Sequence, residues 1–248
     1  MSSKQSELKT IFDHVVAFPA IVVYWMLRKL PEKLTRTICR SIAVICFHAG
    51  IRRKVIDANL RIAFPEMNAE AKSHVVRDIY SNIGEFLGEW LVLPELGSKL
   101  ASRVQVENGD VYQKAIDQGK GVLLCSAHLG HWEILAATIA DRFEPRLSII
   151  RHALGNARFD RWFTEVHEAM QFGDIIKGRS MLEIFKRLKR KETVGMLVDQ
   201  SGRGSGIWIP FFNRPTSFHR GPGMILSKLR CPAVTVFCIP GHDGNWII

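Results

Sequence analysis

A histidine and a glutamate five residues apart, His128 and Glu133, are the residues whose types and spacing best suit chemistry in this sequence. A carboxylate that touches one imidazole nitrogen fixes the tautomer and stabilises the imidazolium, so the other nitrogen can act as a general base. On one regular helix this spacing turns the two side chains about 140° apart. We therefore predict that His128 lies in a turn, that Gly130 allows a sharp bend, and that Glu133 lies in the first helical turn. Such a base suits deprotonation of a substrate hydroxyl.

The same segment leaves other interpretations open. A histidine near a glutamate is common by chance. His128, His131 and Glu133 could instead bind a metal, but their spacing is not the i, i+4 pair of a zinc helix, and no distant ligand cluster is evident. We therefore predict no metal. Cys125 and Ser126 lie near enough in sequence to be considered as nucleophiles.

The elements that must position these residues are short apolar runs that alternate with amphipathic helices. The predicted strands cover residues 121–127, 147–151, 193–199 and 233–240, and the predicted helices cover 130–139, 157–170, 181–191 and 222–229. This alternation predicts an α/β fold with a mostly parallel central sheet and crossover helices. Ligands bind beyond the carboxyl ends of such strands, and His128, Arg151 and Asp199 each lie at or just after such an end.

Helices are predicted to precede the sheet. Asn68 is a candidate N-cap before a long pattern of apolar residues at helical spacing. Nearer the start, Val15 to Leu27 is uncharged and apolar but shorter than the roughly 20 residues that cross a membrane. Cations follow it, so we predict that residues 1–40 form a membrane-associated helical segment. A buried helix that packs on the main domain, residues 41–248, is the alternative.

Composition limits the possible partners. The chain has 248 residues, of which 47% are hydrophobic, and its formal net charge is +10. These values exclude wholesale disorder and favour an anionic partner, which could be nucleic acid, acidic lipid or an acidic carrier protein. Aromatic residues are not interleaved with cations on one platform, so no nucleic-acid partner is expected. The five cysteines form no CxxC pair and are predicted to be buried free thiols.

Several motifs together resemble one enzyme family. The sequence HLGHWE after the first predicted strand resembles the H-x4-D/E motif of the glycerolipid acyltransferase superfamily. More closely, the chain resembles the lauroyl/myristoyl acyltransferases of lipid A biosynthesis, the late acyltransferases of lipopolysaccharide assembly. Besides HLGHWE, the matching segments are residues 58–65, 151–156, 198–200 with the glycine loop that follows, and 209–224 with the Ala-Val strand that follows. They run in the family's order over most of residues 50–240.

The resemblance implies a reaction and a location. Family members move a fatty acyl group from the thioester of acyl carrier protein to a hydroxyl of a lipid A precursor, at the cytoplasmic face of the inner membrane, and no cofactor is implied. On that pattern His128 deprotonates the hydroxyl and Glu133 orients and stabilises it. Arg151, or backbone N–H groups of the 128–131 turn, would bind the oxyanion. Asp199 matches the family's acidic residue, which would hold an arginine or shape the site; a loop cap is the alternative.

The remaining expectations concern surfaces. Arg203 and Arg214 are candidates for acceptor phosphates, because arginine pairs bidentately with phosphate. The basic residues from Arg179 to Lys191 could meet the carrier protein or form a solvated helix face. Three aromatic residues could line an acyl channel, anchor at lipid or lie in the core, namely Trp208, Phe211 and Phe212.

Three further points stay open at this level. Family members continue beyond the point where this sequence ends, so residues 41–248 are expected to form a C-terminally incomplete acyltransferase domain. The acceptor could instead be a glycerophospholipid, a glycolipid or an aminolipid. More remotely, the chain could be a non-catalytic module that binds anionic surfaces.

Overall fold

Residues 17–97, 99–176, 180–241 and 245–248 are described by the structure, a computed structural model. They divide into two units. The first holds the described residues up to Ile21 together with Leu96–Ile209 and Pro215–Ile248. The second holds Val22–Glu95 and Pro210–Arg214.

Helices dominate the first hundred residues, and strands and helices alternate afterwards. In chain order the helices are α1 (Ala17–Arg28), α2 (Glu32–His48), α3 (Arg53–Ala63), α4 (Ala69–Leu96), α5 (Lys99–Arg103), α6 (Gly109–Ile116), α7 (Trp132–Arg142), α8 (Ala157–Ala169), α9 (Ser180–Lys189) and α10 (Gly221–Leu229). The strands are β1 (Val104–Gln105), β2 (Val122–Ser126), β3 (Leu147–Arg151), β4 (Gly173–Ile176), β5 (Thr193–Leu197), β6 (Ile207–Phe211), β7 (Arg214–Phe218), β8 (Ala233–Thr235), β9 (Ile239–Pro240) and β10 (Trp246–Ile247).

The centre of the first unit is a five-stranded sheet with the order β4-β3-β5-β2-β8. All of its strand pairs are parallel. The predicted α/β fold with a parallel sheet and preceding helices is therefore confirmed. Helices connect its strands, as parallel pairing requires.

The register of the sheet places two chain segments side by side. Ser126 at the end of β2 lies opposite Leu197 at the end of β5. The backbone N–H of Val198 donates to the carbonyl of Ser126 at 2.9 Å, so the two chains leave the sheet at the same level. His128 and Asp199 each follow two residues later, which brings them to the same edge of the sheet.

The two faces of the sheet are packed differently. Alternate residues of a strand point to opposite faces. On one face Leu123 and Val194 pack with Ile184 and Leu188 of α9 in a dense apolar cluster. The opposite face carries Leu124, Ile149 and Gly195, which lie in register on three neighbouring strands and line a cavity.

Two strand predictions differ from the structure. β4 was not predicted, because it has only four residues and the polar Asp174 interrupts its apolar pattern. The strand predicted over 233–240 is divided. Beyond Thr235 the chain leaves the central sheet, Cys238 bridges to Gly130, and β9 joins a separate sheet with the order β1-β10-β9.

Two glycines of α4 allow close helix packing in the second unit. A Cβ atom at Gly88 would lie 3.0 Å from the Cα of Arg36, and one at Gly84 would lie 2.9 Å from the Cβ of Ala43. The backbones of α2 and α4 therefore approach closely at these points. The predicted N-cap of α4 is confirmed, since the Asn68 side chain accepts a hydrogen bond from the N–H of Ala71 at 2.8 Å.

Three of the cations that follow the first apolar segment have acidic partners. Arg28 pairs with Glu95, and Arg36 and Arg40 both pair with Glu85. In the part of the chain that the structure describes, no single helix combines the length and apolarity of a membrane span. Helices α2 and α3 have the required length and apolarity only when they are taken together, and the chain bends by 82° between them.

Candidate active site

His128 lies in the turn between β2 and α7, and glycine shapes that turn. Gly130 has a φ of 62°, and a Cβ atom there would overlap the carbonyl oxygen of Cys238. The next backbone N–H, that of His131, donates to the same carbonyl at 3.0 Å. Only glycine fits this left-handed position, so Gly130 holds the turn against the chain that follows β8.

Asp199 holds His128 at two points. Its Oδ1 lies 2.9 Å from Nδ1 of the ring, and its Oδ2 accepts the backbone N–H of His128 at 3.0 Å. A carboxylate at Nδ1 keeps the proton on that nitrogen and leaves the lone pair on Nε2. The side-chain amide of Gln200 lies 3.3 Å from Nε2, and the ring of Trp132 packs edge-on at 5.0 Å.

The charge of Asp199 follows from this contact. Burial by itself raises the pKa of Asp199, but hydrogen bonds from the ring and the backbone of His128 outweigh it and hold the pKa below its usual value. Asp199 is therefore a carboxylate at neutral pH, and it can stabilise an imidazolium at His128. Asp199 also acts as a loop cap, the alternative role considered for it, because the same carboxylate accepts a hydrogen bond from the backbone of the turn.

Glu133 does not contact His128, which differs from the expectation. Among the described residues, Asp199 and Gln200 are the hydrogen-bond partners of the His128 ring. Glu133 is the second residue of α7, and its Oε2 lies 3.3 Å from Nε2 of His167. His128 lies in a turn and Glu133 in the first turn of a helix, as predicted, but the carboxylate beside His128 belongs to Asp199, just after β5. A role for Glu133 in the reaction stays a prediction.

His167 is a buried histidine that the sequence analysis missed. It lies in α8 with no exposed surface, between Glu133 and Asp174, whose Oδ1 is 2.6 Å from Nδ1. Burial alone lowers the pKa of His167, but the hydrogen bonds and charges of the two carboxylates raise it to about 9. It is therefore an imidazolium at neutral pH. The available signals were a histidine on the apolar face of α8 and an aspartate inside the short strand β4.

Arg151 has protein acceptors for all three guanidinium nitrogens. Its Nε donates to Asp174 at 2.5 Å, one terminal nitrogen donates to Asp160 at 2.6 Å, and the other donates to Thr164 at 2.9 Å. This arrangement ties β3 to α8 and β4. The oxyanion role expected of Arg151 stays a prediction that this geometry does not favour.

Backbone N–H groups of the 128–131 turn were the other expected oxyanion donors, and this role stays a prediction. The N–H groups at His128 and His131 donate to Asp199 and Cys238. The candidates that remain in this turn are the N–H groups of Leu129 and Gly130. Peptide N–H groups held in a rigid turn suit this task, because they need no rearrangement as charge develops.

The two other predicted arginines lie on exposed chain. Arg203 begins the short 3-10 helix Arg203–Ser205, where the Ser217 hydroxyl donates to its carbonyl at 2.6 Å. Arg214 begins β7, and both side chains are exposed. Phosphate binding by either residue stays a prediction.

The structure tests some of the predictions for the aromatic and basic surface residues. Trp208, Phe211 and Phe212 are all exposed, so the alternative that they lie in the core is wrong. In α9 the cation Arg187 pairs with Glu183 at 3.0 Å and with Glu192 at 3.3 Å. Arg179 lies outside the described residues.

A cavity of about 540 Å³ lies beside His128 and the other polar residues of the candidate site. At the carboxyl edge of the sheet it is lined by Ser126, His128, Glu133 and Gln200, and the buried His167 also lines it. Away from that edge its walls include apolar side chains of β2, β3 and α7, namely Leu124, Ala136, Ile139, Leu147 and Ile149. The arrangement suits a substrate with one reactive polar end and a long apolar part.

Among the described residues, no three His, Cys, Asp or Glu side chains are grouped to hold a metal ion.

A parallel sheet preceded by helices, with a histidine and a carboxylate at its carboxyl edge, is consistent with an α/β acyltransferase fold. The chain belongs to the bacterial lipid A biosynthesis acyltransferase family, whose family model matches residues 3–247. The resemblance found in the sequence is thereby confirmed.

One curated relative supports the same reaction class. It is the phosphatidylinositol mannoside acyltransferase of Mycolicibacterium smegmatis (strain ATCC 700084 / mc(2)155), which is 21% identical over 224 residues. The matched region covers 86% of this chain and 73% of that protein. The protein is therefore an acyltransferase.

Proposed function

We propose that the protein transfers a fatty acyl group from the thioester of acyl carrier protein to a hydroxyl of a lipid A precursor. The observation that carries this proposal is the pair of His128 and Asp199 at the polar end of an apolar cavity. Membership in the lipid A biosynthesis acyltransferase family supports the acceptor. The reaction needs no cofactor.

The chemistry requires one base and one oxyanion site. Nε2 of His128 takes the proton of the acceptor hydroxyl as its oxygen attacks the thioester carbonyl carbon, and Asp199 stabilises the resulting imidazolium. N–H groups of the 128–131 turn bind the oxyanion of the tetrahedral intermediate. The carbon–sulfur bond then breaks, and His128 returns the proton to the departing thiolate. Glu133, which lies beside His167 in the wall of the cavity, is proposed to act on the reacting groups through its charge.

Surface charge supports the proposed partners. The net charge of +10 suits both an acidic carrier protein and a phosphorylated acceptor. Arg203 and Arg214 are proposed to pair with acceptor phosphates. We place the enzyme at the cytoplasmic face of the inner membrane, with residues 1–40 as its membrane-associated segment. Exposed apolar residues of α1, such as Trp25 and Met26, support this location.

The name of the relative suggests a second candidate acceptor. Because that protein is a phosphatidylinositol mannoside acyltransferase, the same base could deprotonate a sugar hydroxyl of a glycolipid. The chemistry at His128 would be unchanged, and only the groups that bind the acceptor would differ.

The test is acyl transfer by the full-length protein. It is incubated with acyl carrier protein thioesters and, in separate reactions, with a lipid A precursor and a phosphatidylinositol mannoside, and products are weighed by mass spectrometry. We expect one added acyl chain on the lipid A precursor. The variant His128→Ala should lower the rate by roughly 100-fold to 10,000-fold.

Exposed His74 on α4 is the matched control, and His74→Ala should keep the wild-type rate. A product formed only from the mannoside would replace the first acceptor by the second. Wild-type turnover by His128→Ala would refute the proposed base.

A further inference from the structure

Gly195 is the middle residue of β5, the central strand of the sheet, and it is buried. Leu124 of β2 lies opposite it on one side and Ile149 of β3 on the other. Glycine weakens a strand interior, because it adds no side-chain packing and loses more conformational freedom on folding. Such a glycine often marks a place where a ligand approaches the backbone.

Backbone conformation does not explain this glycine. Gly195 does not have the left-handed φ that Gly130 requires, and any L-residue can adopt its strand geometry. A Cβ atom there would lie 3.4 Å from Cγ2 of Ile149 and 3.5 Å from Cδ1 of Leu147, which are ordinary contact distances. A small side chain would therefore be tolerated, but it would occupy the cavity that all three residues line.

The location of Gly195 relates it to the reacting end of the cavity. It precedes Asp199 by four residues, which is about 13 Å at the strand rise of roughly 3.3 Å per residue. Leu147, the first residue of β3, lies still farther from the carboxyl edge, at the level of Thr193. Ala136 and Ile139 of α7 line the same apolar part of the cavity.

We propose that the missing side chain at Gly195 determines how long an acyl chain the apolar part of the cavity accepts. The proposal rests on the proposed function. With the thioester carbon beside His128, a short acyl group ends before Gly195, and a long fatty acyl chain passes over it toward Leu147. A larger residue at 195 would block the long chain and leave the short one unaffected.

The experiment compares Gly195→Ala and Gly195→Val with the wild type in a mixture of acyl carrier protein thioesters of several chain lengths. Products are weighed, and the ratio of kcat/KM for long against short chains is measured. We expect Gly195→Val to lower this ratio by roughly tenfold or more and Gly195→Ala to lower it less, because single methylene groups in an apolar pocket change selectivity by such factors.

Exposed Gly223 on α10 is the matched control, because a Cβ atom there meets nothing within 4 Å. Gly223→Ala should keep the wild-type ratio. Thermal unfolding of each variant checks the fold, and Gly195→Ala keeps the test decisive if Gly195→Val does not fold. Unchanged ratios, or equal losses at every chain length, would overturn the proposal.

A second measurement separates this proposal from the proposed function. Saturated fatty acids of increasing length are added to the wild type and to Gly195→Ala, and the shift in unfolding temperature is recorded. If the wild type transfers no acyl group, the proposed function fails. The proposed role of Gly195 then stands if long fatty acids stabilise the wild type more than the variant, and it falls if both respond alike.

Discussion

Two of the histidines that line the cavity, His128 and His167, differ in their surroundings, and the difference shows what suits each of them for its role. His128 is partly exposed, with one carboxylate at Nδ1 and the side-chain amide of Gln200 at Nε2. His167 is fully buried between Glu133 and Asp174, so its charge is held in place. Proximity to a carboxylate is common to both. Solvent exposure and the number of neighbouring carboxylates make the first suitable as a base and the second suitable as a fixed cation.

The largest expected effect comes from removing the buried cation. His167→Ala leaves Glu133 and Asp174 buried without their shared partner. We expect a loss of about 3–5 kcal/mol in the free energy of unfolding, as found when one member of a buried ion pair is deleted. Urea denaturation measures it, and His74→Ala on the exposed face of α4 is the control. A loss below about 1 kcal/mol would mean that the charges of this cluster are not coupled as described.

The second prediction concerns the carboxylate beside the base. Asp199→Asn keeps the size of the side chain but no longer stabilises an imidazolium at His128. We expect kcat to fall by about 100-fold, within the range of general-base contributions. The unfolding temperature should change little, because Asp199 is partly exposed.

A parallel Glu133→Gln variant compares the two acids under the same conditions. If Glu133→Gln alone reduces kcat and Asp199→Asn does not, Glu133 is the partner of the base during turnover. The assignment of Asp199 would then be refuted.

The mildest perturbation is pH. The pKa of His167 rises from 6.5 to about 9 on folding, so its contribution to stability is fully present below pH 6.5 and is lost as pH rises through about 9. We expect the unfolding temperature of the wild type to fall between pH 7 and pH 10. In His167→Gln the dependence over this window should be much weaker. Parallel curves for the two proteins would show that another group is responsible.

Much of the fold follows from local patterns. β3 has the predicted bounds, and β2, β5, α8 and α10 begin or end within two residues of the predicted ones. These elements are continuous apolar runs or amphipathic helices, whose periodicity is a local property. β4 escaped prediction because the polar Asp174 lies in its middle. Its aspartate is stabilised there by Arg151 and His167, which local sequence does not reveal.

The candidate site also has features that local sequence predicts and features that only the tertiary structure decides. The sequence alone places His128 in a turn after a buried strand, with Glu133 in the helix that follows, because glycine and strand signals are local. Tertiary structure decides which carboxylate reaches the ring, since Asp199 is 71 residues away in the chain. Parallel pairing of β2 with β5 ends both strands at one level and joins His128 to Asp199. Glu133 at the start of α7 lies beside His167 of α8 instead.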